Sequence, residues 1–383
     1  MKRAARLPMR FTSVVGVVLS LVGTTRAYGD EPPPVSAATS VDDDIAVAPS
    51  LNAMPMVQSG KLGFTPVIDV IAEYGLRIRR DDLGARDWYH EFELPRALVG
   101  ATVHYERASA SVITETVRST SGGSLIGLAG DSIVMRVRNA SVGYEFLRRL
   151  RLDAGVVPTL TIPALERVSG LRVLGGTGLE RTGLGTPADL GVTSRVELPH
   201  GLGFVGVGAY NGQGYTGREL NRGKNVEVAA VVRPFAWGPS WVRPLAVHAT
   251  FVGGSNGTSR ARADRVTGGL SYARREGSGG VSVTYGVGVA DDGGRRAVMV
   301  DAFLRAEPFL GLLVGAQAVH VRRDLDVSGD DVTTLTGAVG YRIVTPLEAL
   351  LAVDHQRVGD AASATLPALD PWRVRAVIRF HPE

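Results

Sequence analysis

From residue 61 to the carboxy terminus, apolar and polar side chains alternate in one segment after another, the period of two that gives a strand two unlike faces. Leu190, Val192, Val196 and Leu198 share one parity, while Asp189, Thr193, Arg195 and Glu197 share the other. Val281, Val283, Tyr285, Val287 and Val289 alternate with Ser282, Thr284, Gly286 and Gly288 in the same way, as do Leu335, Val339, Tyr341 and Ile343 with Thr334, Thr336, Ala338 and Arg342. The pattern predicts sixteen strands, over 67–78, 92–104, 108–118, 132–146, 150–160, 188–198, 202–210, 225–235, 243–253, 264–274, 280–290, 296–306, 309–321, 332–343, 347–356 and 372–381. No helical period of useful length interrupts them. The apolar parity switches between Val137 and Ala140 and again near Pro95, as a β-bulge would make it do.

The predicted connections sort into two classes that alternate along the chain. Arg79 to Glu91, Ser119 to Asp131, Thr161 to Pro187, Asn211 to Lys224, Gly254 to Ala263, Arg322 to Asp331 and Arg357 to Pro371 are long, and Asp291 to Arg295 is a compact member of that class. Those centred on Tyr105-Glu106-Arg107, Leu147-Arg148-Arg149, Pro199-His200-Gly201, Ala236 to Trp241, Glu276 to Gly279, Glu307-Pro308 and Thr345-Pro346 are short. Membrane barrels have an even number of strands, short turns on one side and longer loops on the other. The fold class that follows is all-β, a transmembrane antiparallel β-barrel of about sixteen strands spanning residues 61–383.

Composition changes this picture at the amino end. Lys2, Arg3, Arg6 and Arg10 precede the apolar run Phe11 to Gly23, and Thr25-Arg26-Ala27 offers a cleavage site, which reads as a signal peptide over 1–27. Residues 28–60, rich in Pro, Ala, Ser and Asp, read as a disordered leader. Without residues 1–27 the chain loses five cations and no acid, leaving 37 basic against 38 acidic residues, so the basic precursor is no argument for a nucleic-acid partner. With no cysteine there is neither a disulfide framework nor a thiolate metal site. Only Lys2, Lys61 and Lys224 are lysines, so the cations are arginines, through either base composition or planar anion recognition.

Charge also decides which face is which. The last segment sets Trp372, Val374, Ala376, Ile378 and Phe380 against Arg373, Arg375 and Arg379, and an arginine near the middle of hydrocarbon costs about 2–4 kcal/mol, so the arginines face water as a column of positive charge. By the same parity Arg77, Arg151, Arg195, Arg233 and Arg342 are candidate pore-lining residues. Inward Asp69, Glu73, Asp153 and Glu197 are expected to pair with arginines across strands rather than act as acid and base. The longest connection, Thr161 to Pro187, carries Arg167, Arg172 and Arg181 and reads as a constriction folded into the lumen, or as an outward lid or trimer contact. Tyr105, Tyr144, Phe146, Phe235, Trp237, Trp241, Phe309 and Phe380 near turn ends fit an interfacial girdle.

Leu152-Asp153-Ala154-Gly155-Val156-Val157, Glu166-Arg167, Asp189-Leu190-Gly191-Val192, Gly208-Ala209-Tyr210-Asn211-Gly212-Gln213-Gly214 and Arg233-Pro234-Phe235 follow one another in order. With these, Gly155 to Phe235 read as a unit resembles the phosphate-selective porin O/P family of outer-membrane channels, and the likeness extends more weakly over most of 61–383. The resemblance implies a sixteen-stranded, usually trimeric channel for small anions in the outer membrane. Two features depart from it: lysine is nearly absent, and His381-Pro382-Glu383 follow the terminal aromatic Phe380.

Other motifs read as barrel parts. Gly201-Leu202-Gly203-Phe204-Val205-Gly206 matches a dinucleotide pattern but lies inside a strand, and Gly253-Gly254-Ser255-Asn256-Gly257 matches a nucleophile elbow but lies in a long loop. No histidines pair at metal-ligand spacing, and His248 is expected in a solvated lumen lining. The expected function is passive diffusion of small anionic or polar solutes through an outer-membrane barrel in contact with lipid, a homotrimer without cofactor, metal or catalysis. A plugged barrel, or a secreted all-β enzyme or carbohydrate-binding protein, are the alternatives. The loop classes give a direct check: a protease site inserted within Gly254 to Gly257 is expected to be cut on intact cells, and one within Gly277 to Gly279 is not. Cleavage at both, or at the second alone, would reverse the loop assignment.

Overall fold

The structure, a computed structural model, describes residues 57–59, 62–80, 86–119, 132–147, 149–170, 172–216, 223–256, 261–289, 292–364, 366 and 371–382. The expected signal peptide and nearly all of the expected leader lie outside the described residues. Sixteen antiparallel strands run round a closed barrel. They are β1 (Leu62–Arg80), β2 (Arg86–Tyr105), β3 (Ala108–Ser119), β4 (Ser132–Leu147), β5 (Leu150–Pro158), β6 (Ala188–Leu198), β7 (Gly203–Tyr210), β8 (Asn225–Val232), β9 (Leu245–Gly253), β10 (Asp264–Arg274), β11 (Gly277–Val289), β12 (Asp292–Phe309), β13 (Leu312–Arg322), β14 (Asp331–Val344), β15 (Leu347–Val358) and β16 (Trp372–Phe380). Each strand pairs with the next, and β16 pairs back onto β1 with Arg373 opposite Arg77 and Phe380 opposite Val70, so the sheet has no open edge.

The two parities face different surroundings. On β11, Val281, Val283 and Tyr285 are exposed while Ser282, Thr284 and Gly286 are buried. On β14, Leu335, Val339, Tyr341 and Ile343 are exposed, and on β16 so are Trp372, Val374, Ala376, Ile378 and Phe380, opposite buried Arg375 and Arg379. Apolar side chains thus cover the outside, where they stay exposed among the described residues. That is a surface for hydrocarbon, and a closed ladder is the only β structure that satisfies its backbone there. The eight aromatic residues of the expected girdle are all exposed, at the short-turn end, while Trp88, Tyr89, Phe92 and Trp372 stand exposed toward the long-loop end.

Both parity switches are bulges. In β4, Arg138 is the extra residue between Val137 and Asn139, which pair with Thr114 and Ile113. In β2, Leu94 and Pro95 together face Ala72, so proline sits where the ladder is interrupted anyway.

Four expectations are corrected. The connection expected from Arg79 to Glu91 shrinks to residues 81–85, because the β1–β2 ladder continues to Arg80 opposite Arg86. The connection expected over Asp291 to Arg295 gives way at Asp292 to β12, which begins there. Val289 does not face outward: a register shift after Val287, with Gly288 at φ 74°, turns it onto an inner cluster around Met299. The turn expected over Ala236 to Trp241 spans Arg233 to Pro244, since β8 stops at Val232 and β9 starts at Leu245. In addition, Val57–Ser59 pairs with Phe64–Leu62, three residues inside the stretch expected to be leader.

Val339 is exposed near the middle of β14. Val339→Arg is expected to destabilise the barrel by about 2–4 kcal/mol in lipid, whereas Val339→Ile changes it little. Denaturant unfolding in vesicles measures this, and an unaffected arginine variant would take that face out of hydrocarbon.

Candidate functional site

The connection between β5 and β6, residues 159–187, folds inside the barrel. It contains α1 (Thr161–Ser169), a 3-10 turn (Arg172–Leu174) and α2 (Gly178–Arg181). Ile162 and Leu165 bury one side of α1, and Gly170 at φ 57° ends it, its N–H donating to Glu166 O. Thr177 and Glu180 cap α2 reciprocally.

The loop has an apolar floor to rest on. Val173 and Leu174 pack with Ile71, Leu313, Ala338, Leu350, Ala352 and Val377, all from the inner wall. Ile162, Leu165, Leu179 and Leu184 pack with Met299, Val319, Val321 and Val332. Leu160 meets Phe204 and Ala229. These wall residues would otherwise hold apolar surface in water, so burial fixes the loop inside rather than over the mouth.

Wall carboxylates then pin its backbone. Glu227, almost fully buried, accepts from Leu160 N and Thr161 N at 2.9 Å each, from Thr161 Oγ1 at 2.5 Å and from Tyr210 Oη at 2.7 Å. Asp301 accepts from Gly178 N at 2.7 Å and from Gln317 Nε2 at 3.0 Å. Arg375 Nη2 donates to Leu174 O at 3.1 Å. A charged acceptor facing otherwise orphaned helix-start N–H groups is a strong attachment.

Arg172 lies between two loop carboxylates, 2.8 Å from Glu166 and 2.5 Å from Glu180. Burial, and after it the Glu180 charge, hold the Glu166 carboxyl well above its usual range. Glu180 goes the other way: burial would raise it, but Arg172, Arg138 and the Thr177 N–H together outweigh burial and draw it below the usual range. Arg96, buried, places Nε 3.0 Å from Asp69 and Nη1 4.0 Å from Glu166.

The column of arginines on β16 is inward but not free, and Arg375 and Arg379 are buried while Arg373 stays partly exposed. Arg373 is held by Glu73 and Glu93, Arg375 by Glu73 at 3.0 Å and Asp354 at 2.7 Å, and Arg379 by Asp69 at 3.0 Å and Glu348 at 3.8 Å. Charges brought this close pair because each would otherwise be desolvated alone. Arg77 meets Glu91 and Glu93, and Arg342 meets Glu307 and Glu348. Arg151 makes a bidentate contact with Asp153, and Arg195 lies against Glu197 and over the Phe204 ring. Arg233 is on no strand; it opens the Arg233 to Pro244 turn. In the loop, Arg181 bonds the neutral Gln317 at 3.1 Å, and Arg167 makes no ion pair among the described residues. His248 is buried with Nε2 on Ser271 Oγ, not in a solvated lining.

Sequence reasoning missed the loop's attachments and a second inward segment. Tyr215, from the connection after β7, bonds Glu115 at 2.5 Å and accepts from Arg136 at 2.9 Å, with Arg136 4.9 Å from its ring centre. Asp189 holds that segment through Gly212 N at 2.8 Å and Gly214 N at 3.2 Å. The only sequence signal was a lone carboxylate on a strand next to a long loop.

No family model and no curated protein matches the chain. Solved structures do. OmpF of Salmonella typhi, solved with daunomycin, superposes with a TM-score of 0.60 at 9% identity, covering 85% of this chain and 99% of that one. An anion-selective porin from Comamonas acidovorans gives 0.58 at 12%, covering 83% and 99%. The outer-membrane channel DcaP of Acinetobacter baumannii gives 0.54 at 12%, covering 84% and 98%. The fold is that of these membrane barrels.

Because the Glu166 carboxyl binds its proton more tightly in the folded chain than in the unfolded one, stability falls as the pH rises from the usual carboxylate range through the raised value. Glu166→Gln is expected to flatten that fall, measured by denaturant midpoints in lipid across the range; an undiminished slope would assign it to another group.

Proposed function

We propose that this chain is a porin of a bacterial outer membrane, through which small polar solutes diffuse passively, without a catalysed reaction. One observation carries the reading: a closed barrel has an apolar outer face and a charged inner face, with the 29-residue connection between β5 and β6 folded against that inner face, where we read it as a constriction. A plugged barrel for adhesion would not need an inner wall lined by so many guanidinium and carboxylate groups. Selectivity in such pores comes from charge placed along the path with weak enough binding to release the solute.

The pore-lining role of Arg77, Arg151, Arg195, Arg342, Arg373, Arg375 and Arg379 is part of this proposal, as is a mild anion preference like that named for the Comamonas acidovorans porin. Since the wall arginines are largely matched by carboxylates, that preference would come chiefly from Arg167 and Arg181 on the loop. The resemblance to the O/P family, a homotrimeric assembly and export by residues 1–27 belong to the same reading.

Reconstituted protein is expected to give discrete single-channel steps, and removal of Ser169 to Gly183 to raise their size. In a salt gradient, Arg181→Gln should move the reversal potential toward cations. Absence of steps would end the channel reading, and an unmoved potential at low salt would take Arg181 out of the path.

A further inference from the structure

Of the seven connections on the short-turn side, six have two to four residues and one, Arg233 to Pro244, has twelve. The long one is folded. Ala236 N, Gly238 N and Val242 N close turns on Arg233 O, Phe235 O and Pro239 O at 3.2, 2.8 and 3.0 Å, and Arg243 Nε donates to Gly238 O at 2.7 Å. Strand β10 clamps it: Tyr272 Oη donates to Trp241 O at 3.0 Å and Arg274 Nη2 to Ser240 O at 2.7 Å. Tyr272 and Arg274 share the parity of Val266 and Leu270, which are exposed on the outer surface, so this arginine lies on the hydrocarbon side of the wall.

Trp237 and Trp241 are each 67% exposed on this ordered turn. Two exposed indoles carried on a hydrogen-bonded turn belong at a membrane interface, where an amphipathic ring meets both phases. The charge is one-sided as well. No acid occurs between Glu227 and Asp264, an interval that contains Arg233 and Arg243, and in the adjoining turn Arg275 is offset by Glu276. Arg274 makes one hydrogen bond among the described residues, to Ser240 O, and its remaining N–H groups are left for another acceptor.

We propose that this turn and the end of β10 bind an anionic glycerophospholipid of the leaflet at the short-turn side. Its phosphate meets the guanidinium of Arg274, a planar donor suited to two phosphate oxygens, with Arg243 close in the same turn. Trp237 and Trp241 lie at the depth of the glycerol, and the acyl chains run along Leu270 on the outer wall. A basic cluster at a bilayer surface attracts anionic headgroups over zwitterionic ones. The site rests on the membrane reading above.

The test uses the full chain with Trp88→Phe and Trp372→Phe, which leaves Trp237 and Trp241 as the only indoles. It is refolded into phosphatidylcholine vesicles carrying a minor fraction of either brominated phosphatidylglycerol or brominated phosphatidylcholine. The brominated phosphatidylglycerol is expected to quench at least about twice as strongly; Arg274→Gln should bring the two lipids level, and Arg274→Lys should keep most of the difference. Equal quenching in the parent, or a difference that survives Arg274→Gln, would overturn the site and leave a general aromatic anchor. Quenching by neither lipid in an inserted, heat-modifiable barrel would place the turn in water. Failure to insert would instead overturn the membrane reading itself.

Discussion

In hydrocarbon no water is available for a backbone N–H or C=O, so a sheet can cross only if its last strand finds its first. Here that requirement falls on the seam between β16 and β1, where residues about three hundred positions apart must pair in one register. Side chains make that register specific. Asp69 and Glu73 on β1 meet Arg379, Arg375 and Arg373 on β16, all on the inner face. A slip by one residue would turn one strand over relative to the other, putting either both carboxylates or all three arginines outward, which hydrocarbon does not tolerate. The backbone ladder closes the barrel, and the ion pairs favour the register in which it closes here.

The same inner face cannot be uniformly polar, and this is what brings the loop inside. Leu313, Leu350 and Val377 point inward, as do Met299, Val319 and Val321. Left alone they would expose apolar surface to a wet lumen. Val173 and Leu174 cover the first group, and Ile162, Leu165 and Leu179 the second. The loop thereby loses water around its own peptide groups, and buried backbone polar groups need partners. Glu227, Asp301 and Arg375 supply several of them. Apolar patch, helical loop and pinning side chains are one arrangement, since removing any one leaves another exposed or unsatisfied.

The strands were legible because a period of two is a local property: each of the sixteen expected segments has its strand, and both parity switches are bulges. What was not legible depends on what the inner face meets. Val289 kept its parity in the sequence but not its direction, because a bulge at Gly288 intervenes. The helix over Thr161–Ser169 is too short to announce itself by period, and it forms because Ile162 and Leu165 find a wall. One signal was present in 312–322, where Leu313, Val319 and Val321 are apolar on the inward parity while His320 and Arg322 take the outward one. A strand with that inversion marks a wall that something covers. The pairing of Asp69 and Glu73 with arginines followed from burial of charge, but its extent did not, because parity gives the direction of a side chain and not its neighbours.

That last difference changes where selectivity in the proposed channel resides. Three arginines on one strand suggest a positive column, yet a guanidinium held by two carboxylates presents little net field to a passing ion, and what remains is screened within about 8 Å at physiological salt. Around β16 the wall contributes shape and polarity more than sign. Arg167 and Arg181 are different: the first has no ion pair among the described residues and the second bonds a neutral amide. Both sit on the loop, whose position is set by apolar packing and by Glu227 and Asp301. The sign of the field along the path therefore follows from how the loop is seated, so that the hydrophobic floor and the pinning carboxylates bear on ion preference without meeting an ion themselves.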